Sequence, residues 1–142
     1  MKIIIINGPN LNLLGKREPG IYGSQSFEDY LDALKSEFTD FDISHYQSNV
    51  EGELINKLHE ASAAYDGIIL NAGGYTHTSV SIGDAVAAID CSVVEVHISN
   101  IFAREDFRHT SHIAPHAAGS VIGFGLKSYA LALQSFRKNF SG

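Results

Sequence analysis

At 142 residues the chain suits one domain, 1–142, long enough to bury about two-thirds of its unfolded surface. Hydrophobic residues at 44% and charged residues at 18% exclude a disordered chain, and no apolar run nears the roughly 20 residues that span a bilayer. The net charge of −6, with no basic patch or stripe, argues against a nucleic-acid surface, although local arginines can still hold a small anion.

Met1-Lys2 leads directly into Ile3-Ile4-Ile5-Ile6, so no signal peptide is expected and the four β-branched residues read as a strand buried on both faces. Asn7 to Gly23 follows as a loop longer than a compact α/β domain usually contains. Gly8, Gly15, Gly20 and Gly23, with Pro9 and Pro19, shape its backbone, and Asn10, Asn12, Arg17, Glu18 and Tyr22 give it more polar chemistry than a turn needs. Ser24 or Ser26 can cap a helix whose first turn carries Glu28 and Asp29 and whose apolar face is Phe27, Leu31, Leu34 and Phe38. Phe41 to Gln47 alternates and reads as a second strand, and Glu51 to Ala61 as an amphipathic helix. Ile68 to Leu70 is a third, buried strand, followed by the polar loop Asn71 to Ser79 and a short alanine-rich helix from Ser81 to Ile89. Cys91, the one cysteine, excludes an internal disulfide, reads as a small buried hydrophobe and fits a reducing cytoplasm. Val93 to Ile98 is a fourth strand, Asn100 to His116 an irregular segment, and Val121 to Gly123 a short fifth strand. Leu126, Tyr129, Leu133, Phe136 and Phe140 mark a closing helix.

Five strands alternating with helices predict an α/β, flavodoxin-like three-layer sandwich. Its parallel sheet would have the order 2-1-3-4-5, with ligands beyond the carboxyl ends of the strands. Those ends are Asn7 to Asn10, Ser48-Asn49, Asn71 and His97 to Asn100, one convergent polar rim. Phosphate motifs fail on this rim. Six residues separate Gly8 from Gly15 where a P-loop has four, and Arg17 stands where Ser or Thr would bind magnesium. Gly123-Phe-Gly125 has Ser128 in place of a third glycine. His109, His112 and His116 have metal-like spacing but no clearly placed further ligand, so loop histidines are the simpler reading and no metal is expected.

Acid–base chemistry suits the rim better. A guanidinium near Tyr22 would favour its phenolate, a base able to remove a proton α to a carbonyl; Arg17 lies five residues away. A solvent-facing loop tyrosine is the plainer alternative. His97 ends a buried strand, as a proton donor that Asn71 could orient or as a hydrogen-bonded structural histidine. Arg108 could clamp a carboxylate or form a surface ion pair with Glu105 or Asp106.

These residues sit in ordered segments that carry a resemblance along essentially the whole chain. They are Gly8-Pro-Asn-Leu-Asn-Leu-Leu-Gly15, Arg17-Glu-Pro19 and Tyr22-Gly23, then Ser48-Asn49 with Glu51-Gly-Glu-Leu-Ile55. Asn71, Gly73, Tyr75-Thr-His-Thr-Ser79, Glu95-Val-His-Ile-Ser-Asn100 and Arg104-Glu-Asp-Phe-Arg-His109 continue the series. The chain resembles the type II 3-dehydroquinate dehydratases. It departs from that family's commoner residues at Val50, Ala72, Gly74 and Ser128, and lacks a proline before Val94.

The resemblance implies reversible dehydration of 3-dehydroquinate to 3-dehydroshikimate, on the route to aromatic amino acids, through an enolate. Tyr22 would take the proton at C2, with Arg17 keeping its phenolate available and Asn10 holding a water at the enolate. His97 would protonate the departing C1 hydroxyl, with Asn71 orienting it. The substrate carboxylate would meet the backbone N–H groups of Ile98 and Ser99 and the Ser99 hydroxyl, and the ring hydroxyls His77 and Arg108. Asp84 would reach the site of a neighbouring subunit in a dodecamer, a tetramer of trimers. Neither cofactor nor metal is implied, and the setting is cytoplasmic. Two rivals remain: an FMN- or phosphate-holding module of the same fold, and a structural subunit with a decayed site.

Overall fold

The computed structural model describes residues 1–16, 20 and 25–137. Five strands, β1 (Lys2–Asn7), β2 (Asp42–Gln47), β3 (Gly67–Asn71), β4 (Ser92–His97) and β5 (Gly119–Ile122), form one sheet in the order β2-β1-β3-β4-β5. Every neighbouring pair is parallel. The helices are α1 (Phe27–Glu37), α2 (Glu51–Ala64), α3 (Val80–Ala88) and α4 (Lys127–Ser135).

Strand alternation sorts the apolar residues into two cores. Ile3, Ile5, Ile69, Val94 and Val96 face one side and pack with Phe27, Leu31 and Leu34 of α1 and Tyr129, Ala132 and Leu133 of α4. Ile4, Ile6, Ile68, Leu70 and Val93 face the other and pack with Leu54 and Leu58 of α2 and Ile82, Ala85 and Val86 of α3. Each fully buried aliphatic side chain contributes about 1.5–3 kcal/mol of transfer free energy, which fixes the register against a one-residue slip.

Helix starts follow local chemistry. Of the two serines available to α1, Ser26 is the cap, its hydroxyl accepting the Asp29 N–H at 3.2 Å. Ser79 caps α3 by accepting from the Ile82 N–H at 2.9 Å. Val50, which cannot cap, precedes α2; there Ser48 Oγ accepts the Val50 N–H at 3.0 Å and donates to Glu53 at 2.8 Å. The irregular segment after β4 contains three short 3-10 turns, Ile101–Ala103, Asp106–His109 and Ala114–His116. β5 begins at Gly119, earlier than the apolar residues announce, because Gly119 and Ser120 pair with Val94 and Glu95. The closing helix is described through Ser135, and the expected Phe140 lies outside the described residues.

Two backbone approaches shape the carboxyl edge of the sheet. A Cβ on Gly8 would lie 2.5 Å from the Ala72 carbonyl oxygen, so the loops after β1 and β3 touch only because Gly8 has no side chain. Asn10 has φ 70, a left-handed conformation that asparagine tolerates better than most residues.

Candidate active site

The rim expected from the strand ends surrounds a cavity of about 130 Å³, close to the roughly 150 Å³ void that admits a benzene ring. Asn10, Asn71, His77, His97, Ile98, Ser99 and Arg108 all line it, as does Arg104. Larger hollows lie by the β5 edge, beside Phe136, and between His59 and Asp90, but neither gathers comparable polar chemistry. Asp84 is exposed on α3 and does not line this cavity. Arg17 and Tyr22 lie outside the described residues.

Parallel pairing brings the strand ends together. Asn7 stands beside both Gln47 and Asn71, and His97 beside Ile122. Gln47 Nε2 donates to the Gly8 carbonyl at 3.1 Å and to Asn49 Oδ1 at 3.0 Å. Asn49 Oδ1 also accepts the Asn10 backbone N–H at 3.0 Å, so β2 pins the start of the long loop.

His97 is 5% exposed, and its Nε2–H donates to Glu95 Oε2 at 2.6 Å. That leaves Nδ1 as the nitrogen able to exchange a proton with a bound molecule. Glu95, 1% exposed, receives two further hydroxyls, Ser111 to Oε2 at 2.8 Å and Ser120 to Oε1 at 2.9 Å. Burial alone would raise the Glu95 pKa, but His97 and the two serines outweigh it and hold the carboxyl below its ordinary value. Glu95 is therefore the anion that faces His97. The partner assigned to His97 from sequence was Asn71; instead, the Asn71 amide bonds Tyr129 at 2.8 Å and the Gly73 N–H at 3.2 Å. The physical reason is position. Glu95 shares a strand face with His97 two residues away, and Asn71 sits one strand across.

Glu95 and its serines are what sequence reasoning missed, although a signal existed. A carboxylate inside Val93-Val94-Glu95-Val96 cannot be buried without donors, and period-two spacing puts it on the His97 face. Arg104 was also missed; its Nη1 donates to Ser99 Oγ at 3.4 Å.

His77 stacks on His97 with ring centroids 5.9 Å apart. Its Nδ1 donates to the Thr110 carbonyl at 2.8 Å, which fixes the neutral tautomer with the Nε2 lone pair open. Burial chiefly, with His97 and Arg108 nearby, lowers the His77 pKa despite the opposing carbonyl bond. Arg108 lines the cavity, and its Nε donates to Glu105 Oε2 at 2.7 Å, the ion pair that was one of its two sequence readings. Two arginines and two imidazoles around one pocket favour an anion despite the net charge.

Residues 1–137 match the family model for class II dehydroquinases. The chain belongs to the class II dehydroquinase family. Relatives in this family include a 3-dehydroquinate dehydratase of Synechocystis, 49% identical over 99% of this chain and 94% of that protein. Another, from Caldicellulosiruptor bescii, is 51% identical over 96% of this chain and 97% of its own length. The crystal structure of a type II dehydroquinase from Butyrivibrio crossotus superposes with a TM-score of 0.90 at 44% identity, covering 94% of this chain and 95% of that one. The sheet order and the helix layers are thus those of a class II dehydroquinase. The Ser128 hydroxyl accepts the Phe124 N–H at 3.1 Å and closes the turn before α4.

Proposed function

We infer that the chain catalyses what its family is named for, the dehydration of 3-dehydroquinate to 3-dehydroshikimate in the shikimate pathway. The observation that carries this reading is His97, backed by the buried Glu95 carboxylate and facing a small cavity that Arg104 and Arg108 also line.

The chemistry asks for a base, stabilisation of an enolate and an acid for a poor leaving group. Tyr22, as phenolate favoured by Arg17, removes the C2 proton, and the electron pair moves onto the ketone oxygen to form the enolate. A water held by Asn10 stabilises that oxygen. The enolate then collapses, the C1–O bond breaks, and His97, carrying a second proton on Nδ1, gives that proton to the departing hydroxyl, which leaves as water. Glu95 keeps the imidazole oriented throughout. Ile98 and Ser99 receive the substrate carboxylate, and His77, Asn71 and Arg108 the ring hydroxyls.

Asp84 is exposed on α3 and does not line its own cavity, which supports its contribution to a neighbouring site in a dodecamer. Loss of activity on dilution, in step with loss of the assembly in sedimentation, tests this. A cytoplasmic setting is supported by the single cysteine, and among the described residues no helix is long and apolar enough to cross a membrane.

The deciding assay adds 3-dehydroquinate and follows the conjugated enone by ultraviolet absorbance, with and without borohydride. Turnover that borohydride leaves unchanged supports the enolate route without a Schiff base. No absorbance change, with a yellow chromophore co-purifying instead, would turn the reading toward a flavin-holding module.

A further inference from the structure

Beneath the cavity runs a chain of hydrogen bonds that none of the steps above uses. The Gly73 N–H donates to Asn71 Oδ1 at 3.2 Å, and Asn71 Nδ2 donates to the Tyr129 hydroxyl at 2.8 Å. The Tyr129 O–H donates to Asn7 Oδ1 at 2.8 Å, and Asn7 Nδ2 meets His45 Nε2 at 3.2 Å. Asn7 is 1% exposed, Asn71 3% and Tyr129 0%, so water cannot readily replace a missing partner.

Every direction in this chain is forced. A backbone N–H can only donate, so the Asn71 oxygen must face Gly73 and its nitrogen must face Tyr129. The phenol, having accepted, has one proton to give, and Asn7 must take it on oxygen. Asn7 nitrogen then points at His45 Nε2, which must hold a lone pair. Reversing the Asn71 amide would set two buried donors against each other. One Asn71 N–H remains uncommitted within this chain, and Asn71 lines the cavity.

We propose that Tyr129 is a positioning residue, whose hydroxyl, together with the Gly73 N–H, locks the Asn71 amide so that an N–H, never the carbonyl oxygen, meets a hydroxyl oxygen of the bound substrate. His45 terminates the lock as its last acceptor. The proposal rests on the dehydratase reading for its substrate, but the lock itself is a property of the ligand-free protein. His45 also packs against the Phe27 ring at 4.5 Å. The groups facing it are Glu28 and Lys35 of α1, Asn7 of β1 and, through Phe27, the Tyr129 phenol of α4.

Tyr129→Phe tests this, because it keeps the ring and deletes only the hydroxyl. The Gly73 N–H still holds the amide oxygen, but the inner N–H loses its acceptor and the amide is no longer fixed in place, so KM for 3-dehydroquinate rises about tenfold while kcat changes little. In parallel, ¹⁵N NMR of the ligand-free protein reads His45 Nε2 as unprotonated in the parent. In the variant Asn7 is released, its oxygen can turn to accept from His45, and the imidazole titrates at higher pH. A KM rise together with a shifted His45 titration supports the lock. Unchanged KM with unchanged His45, or equal losses in kcat and KM that track the melting temperature with His45 unmoved, would overturn it. If Tyr129→Phe does not fold, the test runs from the other end. His45→Leu removes the last acceptor and raises KM, and His45→Gln, which keeps one, restores it; equal KM values for the two overturn the proposal. Absence of turnover in the parent protein would instead refute the dehydratase reading, and the His45 spectra would still report on the lock.

Discussion

Two kinds of residue are assigned to the proposed reaction, and they should respond differently to substitution. Tyr22 and Arg17 are assigned to the chemistry alone, so their loss should bear on turnover rather than folding. Tyr22→Phe should abolish turnover and leave the fold and much of the binding intact; full activity would refute the assigned base. Arg17→Ala should lower kcat far more than the melting temperature, and equal losses would point to a structural role. Glu95 is the opposite kind. It is enclosed by His97, Ser111 and Ser120, three donors converging on two carboxylate oxygens. Glu95→Gln substitutes an NH₂ for one acceptor and removes the anion behind His97. General acid catalysis contributes about 10²–10⁴-fold, so kcat should fall by about 100-fold or more, with a lower melting temperature as well. Steady-state rates beside thermal melts check both. Undiminished kcat would show that His97 does not depend on its carboxylate.

Elements were legible from sequence where side chains alone decide them. The Ile3 to Ile6 run and the Phe27, Leu31, Leu34 stripe became β1 and α1 because burial on the sheet and on a helix face requires those periods. β5 was less legible, since Gly119 and Ser120 carry no strand signal and join the sheet through pairing with β4. The candidate site was legible as a rim, because parallel topology delivers strand ends to one edge whatever residues lie there. Its wiring was not, because hydrogen-bond partners depend on which strand face each side chain occupies, as the exchange of Asn71 for Glu95 behind His97 shows. The glycines test the same distinction between pattern and contact. Gly8 and Gly52 look alike in sequence, but a Cβ on Gly8 would lie 2.5 Å from Ala72 backbone, and one on Gly52, inside α2, would meet nothing within 4 Å. Gly8→Ala should cost about 1–3 kcal/mol and lower activity by forcing apart the loops that border the cavity. Gly52→Ala should stabilise by about 0.5–1 kcal/mol through helix propensity. Urea unfolding of both variants measures the difference, and equal effects would contradict the loop contact.

At the scale of the whole molecule, the buried ionisable groups dictate how stability depends on pH. Burial is the main cause that lowers the pKa of His45 and of His77 below 6.5, and Glu95 is lowered from 4.5 because its bonds to His97 and the serines outweigh burial. In all three the unfolded chain takes up a proton before the folded one does. Their contributions are therefore fully present above the unfolded values and are lost as pH falls toward and through the folded ones. The melting temperature should hold level down to about pH 6.5, decline as the unfolded-state histidines protonate, and decline again below about pH 4.5 as the unfolded-state Glu95 does. Down to the isoelectric point near 5.5, the net charge of −6 works the other way, since acidification relieves self-repulsion and would by itself raise the melting temperature. A fall that begins above pH 5.5 thus isolates the buried histidines. His45→Gln cannot titrate and should flatten part of the first decline while leaving the second in place. Melts from pH 8 to pH 4 on both proteins decide the matter: a parent curve that rises throughout, or a first decline that His45→Gln leaves intact, would mean that His45 is not held neutral by the fold.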